Sequence, residues 1–123
     1  MEFDELSNRV IGNAIEVHRH LGPGLLESAY EQCLAYELSR NGIAFQLQLA
    51  QPVQYKEVRL DCGYRIDILI ENQIIVELKS VEKLLGIHEA QLVTYMKLAE
   101  IRIGLLMNFN VPKLKEGIKR FVL

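Results

Sequence analysis

An α/β fold, in the α+β arrangement of separate helical and strand runs, is predicted by three observations. Two segments near the start repeat apolar residues at helical spacing. Two short β-branched runs, at 65–70 and 74–79, flank three polar residues. A third helical pattern is followed by an apolar run at 101–109. A chain of 123 residues can bury one core of its own, since domains most often run to about 100 to 150 residues. A single domain over residues 1–123 is therefore expected.

In the first helical segment Leu6, Val10, Ala14, Val17 and Leu21 recur on one face, and Ile11 and Ile15 widen the stripe. This spacing predicts an amphipathic helix over 4–20. Asp4 is placed to cap it, because a short acidic side chain can accept from the free N–H groups of the first turn. Gly22-Pro23-Gly24 breaks it. His18 sits beside the Ile11 and Ile15 edge, and His20 at the C-terminal end, where an imidazole can meet the last carbonyls. Structural roles are preferred for both.

The second helix is expected over 25–41, with Leu26, Ala29, Tyr30, Cys33, Leu34 and Leu38 apolar and Gly42 as its C-cap. Glu27 falls in its first turn, where interaction with the helix dipole is reason enough for a carboxylate. Tyr30 follows three residues later on the same side. On its own it reads as core packing, and the pair gains meaning only if it faces the acidic residues described next.

Between 43 and 60 the pattern loosens into two alternating segments, Phe45 to Leu49 and Val53 to Leu60, interrupted at Pro52. The second is expected to join the sheet, and Asp61-Cys62-Gly63 to turn the chain into the run at 65–70. Here the register carries the argument. With Glu71-Asn72-Gln73 as a three-residue loop, Ile70 faces Ile74, and counting outward sets Asp67 opposite Glu77. A two-residue loop would pair Asp67 with Leu78 and mix the faces.

Alternation then gives Asp67, Glu77 and Lys79 one face, and Ile66, Ile68, Ile70, Ile74, Val76 and Leu78 the other. Cross-strand neighbours lie roughly 4.5 to 5.5 Å apart, where like charges destabilise a sheet unless something positive lies between them. A divalent cation or Lys79 would serve.

The third helix is expected to start at about 83 or 88 and run to Ala99, with Gly86 either in it or in the preceding loop. Gln91 and Tyr95, four apart, share one face, which by itself describes an ordinary surface hydrogen bond. The run 101–109 suits a strand buried on both sides, and Asn110-Val111-Pro112 ends it. The tail then gathers Lys113, Lys115, Lys119 and Arg120. Solvated surface is the default there, with phosphate contact as the alternative.

A net charge of −2 argues against coating nucleic acid by bulk electrostatics, which needs clustered Lys and Arg. Any such contact must be local or use a metal. No apolar run approaches the roughly 20 residues that span a bilayer. The acidic start, Met1-Glu2-Phe3-Asp4-Glu5, lacks the basic and apolar blocks of a signal peptide. The expectation is a cytoplasmic protein without a membrane partner. Cys33 and Cys62 form no CxxC or His/Cys cluster and are expected to be reduced thiols.

Asp67, nine intervening residues, then Glu77-Leu78-Lys79 resembles the active-site signature of the PD-(D/E)XK nuclease superfamily. By itself that pattern is common. In addition, Gly24-Leu25-Leu26-Glu27-Ser28-Ala29-Tyr30 is similar to the GxxExxY motif that names one small family within it. Gln91-Leu92-Val93-Thr94-Tyr95 is similar to the QxxxY pattern of its exonuclease-like branch. The blocks from Val17 to Gly24 and from Gly104 to Phe109 also look like that family. Ile66 stands where the family name has proline, which supplies no ligand.

The resemblance implies a restriction-endonuclease-like core, a mixed central β-sheet flanked by helices in the order αβββαβ. It further implies a phosphodiesterase that uses Mg²⁺, with Mn²⁺ as a substitute, on nucleic acid: DNA first, with RNA open. Glu27, Asp67 and Glu77 look like its metal ligands, with the backbone carbonyl of Leu78 as another. Lys79 would orient the attacking water and offset charge in the transition state. Gln91 and Tyr95 would line the cleft, Tyr30 would support Glu27, and His18 would stand behind the ligands.

Two other readings stay open. One is a catalytically inactive module that binds nucleic acid or protein, favoured by the acidic pI and small size. The other is a structural ion-pair network on an exposed sheet face. Assembly into a homo-oligomer is also left open.

Overall fold

The apolar stripe of the first segment winds into helix α1, Glu5–Leu21, and buries Val10, Ile11, Ala14 and Val17. Asp4 caps it, its carboxylate accepting from the Ser7 N–H at 2.9 Å and the Ser7 hydroxyl at 2.5 Å. Burial alone would raise the Asp4 pKa. The Ser7 bonds, with one from Arg120 at 2.7 Å, outweigh it and hold the value at about 2. Helix α2, Glu27–Arg40, follows, and Gly42 just beyond its end takes a left-handed φ of 69°. The computed structural model describes residues 3–123. Met1 and Glu2, part of the acidic start, lie outside the described residues.

Strands β1 (Phe45–Ala50), β4 (Arg65–Ile70), β5 (Ile74–Lys79), β6 (Ile103–Asn108) and β7 (Ile118–Val122) form one sheet in the order β1-β4-β5-β6-β7. All its neighbours are antiparallel except β5 and β6. The parallel pair needs a crossover, which helix α3, Gly86–Ala99, supplies. Helices α1 and α2 cover one face of the sheet and α3 the other. The mixed sheet between helices, with α2, β1, β4, β5, α3 and β6 in chain order, is the expected αβββαβ restriction-endonuclease-like arrangement. At Gly104 a Cβ would lie 2.5 Å from Met96 Sδ, so α3 packs directly on the backbone of β6.

Three expectations are corrected. Residues 53–60 do not join the main sheet. They fold back as a separate hairpin of β2 (Val53–Tyr55) and β3 (Val58–Leu60). Lys56 turns the chain with a φ of 53°, and it is β1, from the first of the two alternating segments, that pairs with β4. The basic tail is partly a strand, since β7 pairs with β6. Its Lys119 bonds Glu89 and its Arg120 bonds Asp4.

The third correction concerns Ile66, which sits with Leu69, Ile75 and Tyr95 on the α3 side. Ile68, Ile70, Ile74, Val76 and Leu78 share one face as expected, and that face packs against α1 and α2. The alternation breaks at Asp67. That residue and Gln48 opposite it drop out of the β1–β4 ladder, between the pairs Leu47↔Ile68 and Leu49↔Ile66. Gln48 takes a φ of 50° there, outside the strand region, and the strand changes face.

Candidate active site

The ladder between β4 and β5 runs Ile70↔Ile74, Leu69↔Ile75, Ile68↔Val76, which is the register of a three-residue loop. The next step outward would pair Asp67 with Glu77. Side chains replace the backbone ladder at that point. The Asp67 N–H donates to Glu77 Oε2 at 2.8 Å, and the Leu78 N–H donates to Asp67 Oδ2 at 2.8 Å. Each carboxylate is thus seated by an amide of the opposite strand.

Two further acidic residues come from α2. Glu27 Oε2 accepts from the Ser80 N–H at 3.1 Å, and the Ser80 hydroxyl donates to Leu25 O at 2.6 Å. The end of β5 is thereby tied to the start of α2. One turn along, Glu31 is buried, with 8% exposure. The Gln48 amide donates to Glu31 Oε1 at 2.5 Å and to Asp67 Oδ1 at 3.3 Å.

Neither Glu31 nor Gln48 was anticipated. For Glu31 a signal existed, a charge at i+4 from Glu27 beside apolar Tyr30 and Leu34. For Gln48 there was none, because a polar residue in an alternating strand is ordinary.

Four carboxylates and one ammonium share this place, and the electrostatics follow. Burial, reinforced by the Asp67 charge, pushes Glu77 up to about 8 against the opposing pull of the Asp67 amide and Lys79. Burial also raises Asp67, with Glu27 adding repulsion while the Leu78 amide, Gln48 and Lys79 oppose it. Glu31 is raised by burial and, less, by Asp67. Tyr95 is raised by burial, then by Glu77, Tyr64 and Asp67. Half-buried Lys79 favours ionisation of both dyad carboxylates but makes no ion pair among the described residues. It does not by itself bridge the dyad.

Tyr30 turns away from the dyad. Its ring stacks on Phe109, with centroids 4.4 Å apart. Its hydroxyl donates to Gly22 O at 2.6 Å and accepts from the Leu25 N–H at 3.1 Å. It holds the turn that leads into Glu27 instead of touching that carboxylate. His18 Nε2 lies 3.1 Å from Phe109 O and 2.9 Å from Val111 O. Carbonyls only accept, so this nitrogen carries the proton and joins α1 to the segment after β6. Gln91 and Tyr95 project from α3 into a groove of about 530 Å³ that also takes in Tyr64.

Among the described residues, no three His, Cys, Asp or Glu side chains form a group that could hold a metal ion as they stand. Glu77, Asp67 and Glu27 each accept from one backbone amide, that of Asp67, Leu78 and Ser80 in turn. A protein-family model, that of the PD-(D/E)XK nuclease superfamily, matches residues 4–121. No curated protein and no solved structure matches the chain.

Proposed function

We propose, since this chain belongs to the PD-(D/E)XK nuclease superfamily, that it hydrolyses phosphodiester bonds of DNA with a divalent cation held at Asp67 and Glu77. Residues 1–123 act as one domain, of the GxxExxY kind that the segment Gly24 to Tyr30 resembles. The observation that carries this reading is the reciprocal seating of two raised-pKa carboxylates in a cluster with more negative than positive charge.

The donors fit Mg²⁺, or Mn²⁺ in its place, because they are all oxygens and Mg²⁺ is a hard cation bound by few carboxylates and several waters. Asp67, Glu77 and the Leu78 carbonyl would hold it, with Glu27 joining on release of the Ser80 amide. Such an ion supplies Lewis acidity toward a phosphate oxygen and lowers the pKa of water. Glu77, which keeps its proton near neutral pH while no cation balances the cluster, gives it up on binding.

Lys79 places its ammonium beside the dyad, where it orients the attacking water and offsets charge on the phosphoryl oxygens. Gln91 and Tyr95 position Lys79 or the scissile phosphate from the α3 side. Gln48 holds the Asp67 carboxylate, and Tyr30 holds the turn before Glu27.

Purified protein with Mg²⁺ or Mn²⁺ should cut DNA, with RNA assayed alongside. Asp67→Ala and Lys79→Ala should each lower the rate at least about a hundredfold, the order seen when one stabiliser of developing charge is removed. Full activity in both variants overturns the reading. The competing reading is an inactive nucleic-acid-binding or protein-interaction module, favoured by the bond that ties Glu27 to Ser80. Tight, metal-independent binding without turnover is its signature.

A further inference from the structure

The groove along α3 lies beside the dyad but contributes little to its carboxylate cluster. Tyr64, Ile87, Leu98, Gln91, Thr94 and Tyr95 line it. Tyr95 belongs to both places, since its ring meets Tyr64 edge-on at 6.2 Å while its phenol feels the charges of Glu77 and Asp67. Tyr64 stands three residues before Asp67, at the entrance to β4. Beside that contact Tyr64 remains 45% exposed. Ile87 is 70% exposed. Large apolar side chains held open to water beside a charged cluster call for a flat, apolar occupant with a polar edge. The Gln91 amide and the Thr94 hydroxyl can meet such an edge.

We propose that this groove is a subsite for one unpaired nucleobase of the substrate strand, stacked on Tyr64 and flanked by Ile87, next to the phosphate held at the dyad. The inference rests on the nuclease reading for its substrate class and narrows it to single-stranded, frayed or flapped nucleic acid. Charge points the same way. A chain of net charge −2 gains little from releasing counterions along a backbone. Stacking needs no charge and accepts any base. A paired base keeps its faces inside the helix, so a duplex could enter only by unstacking one.

The test uses the full chain and a short single-stranded DNA with one 2-aminopurine, moved along the sequence, and Ca²⁺ in place of Mg²⁺. Quenching is expected at one position. Tyr64→Ala, Ile87→Asp or an abasic site at that position should each weaken binding about tenfold, within the range for losing one stacked base. Tyr64→Phe should bind as the wild type does, and a blunt duplex of the same sequence should bind more weakly than the single strand. Melting curves would show that these exposed substitutions leave the fold intact.

Equal binding of intact and abasic strands, or no change in Tyr64→Ala, overturns the subsite. So does the absence of binding to any oligonucleotide. Cleavage in Mg²⁺, measured on the same preparations, separates the two ideas. Quenching without cleavage under any condition keeps the subsite and sinks the nuclease reading. Cleavage that is indifferent to Tyr64 and to base pairing sinks the subsite alone.

Discussion

Gln48 stands opposite Asp67 at the one step where the β1–β4 ladder lapses, and its amide joins the Asp67 carboxylate to that of Glu31. The backbone at Gln48 is held at a φ of 50°, a left-handed conformation that costs a non-glycine residue free energy. Strain of this kind persists only where its surroundings enforce it, and here they are a buried acid, Glu31, and a half-buried one, Asp67, both accepting from the same amide.

Gln48→Ala removes that donor and keeps the strained backbone, whereas Gln48→Gly removes the donor and relieves the backbone. Both should be less stable than the wild type, since a lost bond to a charged group costs about 1.5 to 3 kcal/mol. Glycine should nevertheless outperform alanine by about 1 kcal/mol, reversing the usual order in a strand. Urea unfolding of the pair is the measurement. Alanine at or above glycine would show that the left-handed backbone is not enforced.

Glu77 should make the metal-free protein sensitive to alkali. Its pKa in the folded state, about 8, lies above the ordinary 4.5. Its contribution to stability is therefore fully present below about 4.5 and is lost as pH rises through about 8. Glu77→Gln keeps the shape and removes the titration. In a chelating buffer the variant should gain stability relative to the wild type between pH 5 and pH 9, by an amount on the order of a few kcal/mol. A constant difference across that range would place the raised pKa elsewhere.

Cation binding should be visible without turnover. Mg²⁺ at about a hundredfold above its Kd should stabilise the wild type by about 2.7 kcal/mol, read as a rise in Tm against a Ca²⁺ series and a chelated control. Asp67→Asn and Glu77→Gln should each abolish most of the rise. An undiminished rise in both would move the ion away from the dyad.

Tyr30→Phe tests the turn before α2. It deletes the bonds to Gly22 O and the Leu25 amide but keeps the ring on Phe109. The expected cost is about 1 to 2 kcal/mol of stability. Activity should fall less than in Glu27→Ala, because Tyr30 acts on Glu27 only through the chain between them. A larger loss of activity than in Glu27→Ala would give the phenol a direct part.

By itself, the amino-acid sequence determined the helical stripes, the Asp4 cap, the apolar interior of β6 and the register that sets Asp67 against Glu77. All four depend on periodicity or loop length within one or two adjoining segments, where side-chain direction follows from backbone geometry. The positions of Asp67, Glu77 and Lys79 on the strand pair were legible on the same basis, whereas periodicity put Glu27 only in the first turn of a helix, and its approach to the dyad was implied by the motif resemblance alone.

Only the tertiary structure decided that Ile66 changes face, that 53–60 forms its own hairpin and that the basic tail adds β7 to the sheet. It also decided that Glu31 and Gln48 meet Asp67, and that Tyr30 faces Phe109 instead of the dyad. The reason is physical. A left-handed φ at Gln48 or Lys56 leaves no trace in hydrophobic patterning. The partners of a buried carboxylate come from segments distant in the chain, which meet only once the helices and sheet have closed on one another.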